Sequence, residues 1–138
     1  MLLALAGAAA AGCVGLGDDE LTVTIWETQL QAEVDYPGLS GQAAAVSGSD
    51  GTAVGIAIEG ATPGAEHAWG LRFGSCATPS QPVGPASDYP RLVVSTAGSA
   101  SVETRIGTRL SLQRTYLVDV RVSVSDTTRV ACGGLVAR

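Results

Sequence analysis

An all-β domain, a sandwich or Greek-key barrel, is the fold this sequence predicts, and three observations predict it. Apolar and polar residues alternate with a period of two through one window after another. Turn signals built on glycine and proline recur between those windows. No window repeats its apolar residues at the helical period with capping residues at its ends. A chain of 138 residues is long enough for one such domain with its own core.

Each element follows from its alternation. Residues 21–26, Leu-Thr-Val-Thr-Ile-Trp, form the first expected strand. Residues 29–36 form the second, with Leu30, Ala32, Val34 and Tyr36 on one face, and Pro37-Gly38 turns the chain. A short apolar run at 43–46 precedes a turn at 47–51, and residues 52–59 then point Val54, Ile56 and Ile58 inward. After the turn Thr62-Pro63-Gly64 comes the stretch 67–76, whose two faces differ sharply. His67, Trp69, Leu71 and Phe73 share the core side; Ala68, Gly70 and Arg72 share the other. Between 74 and 90 lie Pro79, Pro82, Pro85 and Pro90, which exclude a central strand and suit a constrained, functional excursion. Residues 91–95, 100–106, 109–112 and 116–124 supply the remaining strands. The last points Val118, Val120, Val122 and Val124 inward, with Asp119 and Arg121 outward.

The formal charge of −5 excludes a basic nucleic-acid stripe, so no nucleic acid partner is expected. The first twelve residues are apolar and small and run into Cys13, as in the hydrophobic region of a secretory signal. Ala10-Ala11-Gly12-Cys13 resembles a bacterial lipobox, in which the cysteine becomes the lipidated N-terminus. The expected organisation is a signal peptide at 1–12, a tether at 13–20 beginning with lipidated Cys13, and one domain at 21–138. The alternative is a plain secreted protein with Cys13 discarded or unpaired. Acyl chains at Cys13 would anchor the chain firmly, at about 0.8 kcal/mol per buried CH₂. With Cys13 so used, Cys76 and Cys132 are left either to form a disulfide, as export favours, or to stand as two reduced core thiols.

The stretch at 67–76 resembles the copper-binding strand of copper/zinc superoxide dismutases, Pro-Gly-x-His-Gly-aromatic-His-aliphatic-His closing on Gly-x-Cys. His67, Ala68, Trp69 and Leu71 occupy the pattern's first His, small, aromatic and aliphatic places, while Gly70 and Arg72 stand where the family keeps two copper ligands. Three further stretches are similar. Gly60-Ala61-Thr62-Pro63-Gly64 resembles the turn ahead of the copper strand. Ser87-Asp88-Tyr89-Pro90-Arg91-Leu92 resembles a segment whose Asp binds zinc. Thr128-Arg129-Val130-Ala131-Cys132-Gly133-Gly134-Leu135 resembles the near-terminal segment that closes the disulfide and lines the superoxide entry pocket with its Arg. The resemblance covers residues 52–135. It implies a Greek-key barrel, a Cys76–Cys132 disulfide, and a core-facing His67 bracing the backbone.

It also implies that the metal chemistry is gone. The family uses six histidines and one aspartate, and this chain has one histidine. Redox copper is held by nitrogen ligands. The ligand places are replaced at Gly70, Arg72 and, at or beside the fourth, Asp119; the proline loop carries no zinc histidine, and Asp88 is a lone remnant. A permanent cation at Arg72 repels a metal ion. With His67 inward, no Ser-His-Asp arrangement is expected either. The expectation is therefore a non-catalytic, cofactor-free domain of the cell envelope, lipid-anchored on its periplasmic or outer side, acting as a binding or structural module. Its expected partners are the membrane, through the lipid, and an envelope protein or a small anion held between Arg72 and Arg129 with Asp119 as counter-charge; the alternative for the two arginines is that each pairs with a carboxylate on a solvated strand face, worth at most about 1 kcal/mol. The alternative is a copper/zinc enzyme removing superoxide.

Overall fold

The computed structural model describes residues 22–138. The expected signal peptide, Cys13, the tether and Leu21 lie outside the described residues. The rest is all-β, with a single 3₁₀ turn at Ala86–Asp88. No helix among the described residues is long and apolar enough to cross a membrane.

Ten antiparallel strands make one curled sheet, a half-barrel: β1 Thr24–Ala32, β2 Ser40–Gly48, β3 Gly51–Glu59, β4 Glu66–Gly74, β5 Pro79–Pro82, β6 Leu92–Val93, β7 Ala100–Ile106, β8 Tyr116–Arg121, β9 Arg129–Gly134 and β10 Val136–Ala137. The path across the sheet runs β5-β4-β8-β9-β1-β2-β3-β7, with β10 beside β1 and β6 beside β4. Strands β1 to β3 are consecutive neighbours. The chain then crosses from β3 to β4 at the far side, and again from β7 to β8. The concave face collects the core, with Trp26, Leu30, Ile58, Trp69, Leu71, Val118 and Val120 all buried. Trp26 and Phe73 both pack on the Tyr116 ring, with centroids 5.3 and 5.4 Å away.

Several boundaries move. The strands expected at 21–26 and 29–36 are one strand, because β2 pairs it without a break from Thr24 opposite Ser47 to Leu30 opposite Gly41. Trp26, Thr28 and Leu30 keep a single parity through the Glu27-Thr28 step. The second expected face is right at Leu30 and Ala32 and wrong at Val34 and Tyr36. The ladder stops at Ala32, and the Tyr36 amide donates to the Glu33 carbonyl in a turn that leaves Val34 88% exposed. Strand β8 stops at Arg121, because the chain turns back with Val122 N–H on the Thr128 carbonyl and Ser123 N–H on Asp126. Val118 and Val120 are fully buried, Val122 is half-buried, and Val124 is exposed.

Residues 109–112 form no strand. That loop is held from the side. The Leu110 amide donates to Ser47 Oγ at 2.7 Å, and Thr52 Oγ1 lies 2.9 Å from Ser47 Oγ and 2.6 Å from the Thr108 carbonyl. A carbonyl only accepts, so the Thr52 hydroxyl donates to Thr108 and takes its other bond from Ser47. This buried chain satisfies the backbone groups that a ladder would otherwise pair. The proline stretch does contain a strand, β5, but an exposed edge strand in register with Arg72 and Gly74 of β4. Edges tolerate residues without an N–H.

Candidate functional site

Strands β4, β8 and β9 carry Gly70, Arg72, Asp119 and Arg129, the residues expected to share one outer face. Backbone register sets them in rows across the outer face. Gly70 pairs with Asp119, and Asp119 with Cys132; Arg72 pairs with Leu117, and Arg121 with Arg129. A register shift between Val120 and Arg121 brings Arg129 onto this face despite its sequence parity with Ala131.

Asp119 is the centre. Its side chain is 8% exposed, and its nearest cation is Arg121, with Nε 3.5 Å from Oδ1. Neither of those two atoms makes a hydrogen bond, so the contact is electrostatic rather than directional. Burial pushes the Asp119 carboxyl above the ordinary carboxylate range. The guanidiniums of Arg121, Arg72 and Arg129 pull the other way, and burial prevails. Three arginines thus act on one buried carboxylate.

They are not equally committed. Arg129 donates from Nε to Glu33 at 2.8 Å and from Nη1 to the Cys76 carbonyl at 2.8 Å. Cys76 is in turn bonded to Cys132, with Cα atoms 6.0 Å apart, so the disulfide fixes the loop that holds Arg129. Arg121 leans over Gly70. A Cβ added to Gly70 would stand 3.5 Å from Arg121 Nη2 and 3.3 Å from the Tyr89 ring. Arg72, half-buried on β4, forms no ion pair among the described residues. The outer face that reads in sequence as a small residue, a gap and a cation is therefore a covered surface, with Gly70 buried under a tyrosine and an arginine.

Tyr89 closes the open edge of β4. Its hydroxyl donates to the Val83 carbonyl, its ring packs edge-on to Trp69 at 5.1 Å, and Trp69 Nε1 donates to Pro90 at 2.6 Å. Burial above all pushes the Tyr89 phenol up to about 12. Asp88 sits in the 3₁₀ turn, where its carbonyl accepts from Thr104 Oγ1 at 2.7 Å. His67 is half-buried rather than in the core, because the start of β4 is flanked on one side only by two-residue β6. Its Nδ1 lies 3.0 Å from the Arg121 carbonyl and so carries the proton and donates.

The donors do not fit copper. Gly70 offers no ligand atom and lies under Tyr89 and Arg121, Arg72 is a cation, and Asp119 faces three guanidiniums. Among the described residues no group of three or more His, Cys, Asp or Glu could hold a metal ion. What the face can do is meet negative charge: Arg72 is unpaired, and Arg129 Nη2 makes no hydrogen bond among the described residues.

Sequence reasoning leaves three contributors out of the site: Arg121, Glu33 and Tyr89. Arg121 had a signal, since it shares the face of Asp119 two residues away. Glu33 had none, as it meets Arg129 across 96 residues. Compared with protein-family models and with curated proteins, the sequence matches none.

Proposed function

We propose that this chain is a non-catalytic superoxide dismutase-like domain of the cell envelope, anchored through lipid on Cys13, whose β4–β8–β9 outer face binds a small anion. The single observation that carries the reading is the convergence of Arg72, Arg121 and Arg129 on one buried carboxylate, with Arg72 and Asp119 at or beside places that the resemblance assigns to copper ligands and Arg129 at the place of its entry-pocket arginine. The fold lends support. The long crossings from β3 to β4 and from β7 to β8 are the kind of return a Greek key needs. The Cys76–Cys132 pairing is the one the resemblance implies. Copper cycling asks for several imidazoles, and the sequence contains one histidine.

An arriving anion meets Arg72 first, because Arg129 is already turned toward Glu33 and Cys76. Asp119 keeps the cations together when no anion is bound and competes with it when one is. The test is titration with inorganic phosphate, followed by backbone amide chemical shifts. Saturable movement centred on Gly70, Arg72, Asp119 and Arg129, lost in Arg72→Ala, is the expected result. No movement around Arg72 or Arg129 ends the anion reading.

A further inference from the structure

We propose that the apolar end of the outer face formed by β10, β1 and β2 rests on a lipid surface. Four β-branched side chains stand together there. Ile25 pairs directly with Val46, Val136 pairs with Glu27 one step along the same face, and Val23 continues the row beside Gly48. The Arg138 amide donates to the Ile25 carbonyl at 2.8 Å, which holds β10 against this end of β1. Ile25 and Val46 lie about 5 Å apart, and the diagonal and along-strand neighbours Val136 and Val23 about 7 Å from Ile25, so the four make one patch bordered by the Glu27–Arg138 ion pair. Val23, Ile25, Val46 and Val136 are 51%, 38%, 43% and 68% exposed. Of the other exposed large apolar residues, Val34 and Tyr36 share the turn after β1, and Val93, Leu112 and Val124 sit singly on other strands, loops and turns. Scattered apolar residues are ordinary surface; a contiguous cluster marks an interaction surface.

The occupant follows from where the described chain begins. The patch starts at Val23, one residue past Thr22, and the sequence ahead of it leads to Cys13 and the apolar run 1–12. The proposal rests on the anchored reading above. The nine steps from Cys13 to Thr22 span at most about 32 Å when fully extended. The 117 described residues (138 − 21) form a body about 35 Å across, from a radius of gyration of about 13 Å. A lipid on Cys13 therefore holds the Val23 end of the sheet within about 32 Å of the bilayer, close enough for this face to reach it. Arg105 closes the row that runs Ile25, Val46, Ala53, and its long stem can lie along apolar surface while its head reaches lipid phosphates.

A second copy fits this face less well. The neighbouring row runs Glu27, Ala44, Gly55, Glu103, with Glu27 paired to Arg138 at 3.1 Å, so a two-fold stacking centred on it would bury that ion pair against the Glu103 carboxylate.

The full-length lipidated chain in phosphatidylcholine–phosphatidylglycerol vesicles with brominated acyl chains tests the proposal. The native Trp26 and Trp69 are buried, so an added surface tryptophan reports its own surroundings. Val46→Trp and Val136→Trp are compared with Val124→Trp, which stands in the turn beyond β8, toward the opposite end of β1. The expected result is loss of most of the added emission for the first two and no loss for the third. A chain absent from the vesicle fraction overturns the anchored reading and the proposal together. Vesicle-bound chains with no difference among the three variants overturn the docking face and leave the anchor standing. Blue-shifted emission at position 46 without lipid also overturns it: a shift that grows with protein concentration assigns the face to a second copy, and one that does not assigns it to the chain's own N-terminal segment.

Discussion

Asp119 decides how the outer face behaves with pH. Burial raises its folded-state pKa above the value of about 3.9 that an unfolded aspartate has, so the folded chain holds that proton more tightly. The stability it contributes is fully present below the unfolded value and is lost as pH rises through the raised folded value. Urea unfolding measured across that window should therefore show wild type losing stability relative to Asp119→Asn as pH rises. A flat difference between the two would contradict the burial of the charge. The same residue shows what a sequence conveys and what it does not. Alternation put Asp119 on the outer side of β8, and the structure keeps it there, yet an outward side chain turns out buried because Arg121 and its neighbours lie over it. Strand parity gives direction; it says nothing of what covers a face. His67 makes the converse case, since core parity near a two-residue edge strand leaves it only half-buried.

At the scale of elements, the disulfide couples the loop after β4 to β9 and through it to Arg129. The bridged cysteines are 56 residues apart, and closing such a loop stabilises by about 4 kcal/mol in the chain-entropy treatment. Cys76→Ser with Cys132→Ser should lower the urea midpoint accordingly, and reduction of the wild type should match the double variant. An unchanged midpoint would mean that the bridge constrains little. Strands with neighbours along their full length were the legible ones: β3 with Val54, Ile56 and Ile58, and β7 with the expected bounds. The misread stretches lie where a turn or a side-chain bond takes over from the ladder. Residues 109–112 alternate like a strand, but Ser47 captures the Leu110 amide from 63 residues away. Residues 33–36 continue the alternation of β1 into a turn, and 122–124 continue that of β8 into another. Residues 79–82 made the opposite error possible, because prolines that forbid a central strand leave an edge strand open.

The whole molecule is a curled antiparallel sheet whose concave side is a conventional apolar core and whose convex side carries two different surfaces. One is cationic, on β4, β8 and β9; the other is apolar, on β10, β1 and β2 at the end where the described chain begins. The all-β class was legible from period-two alternation, and the pairing of Cys76 with Cys132 from the cysteine count and the resemblance together. The arginine cluster was only half legible, because Arg72, Arg129 and their counter-charge Asp119 stood at marked positions, while Arg121 over Gly70 and Glu33 on Arg129 join them only in three dimensions. The central proposal is that this surface offers positive charge where the resemblance places metal ligands. Metal analysis of the full-length chain after loading with copper and zinc and removal of the excess addresses it most directly. The account predicts no retained stoichiometric copper and no superoxide dismutation; copper bound at one ion per chain together with dismutation would contradict it.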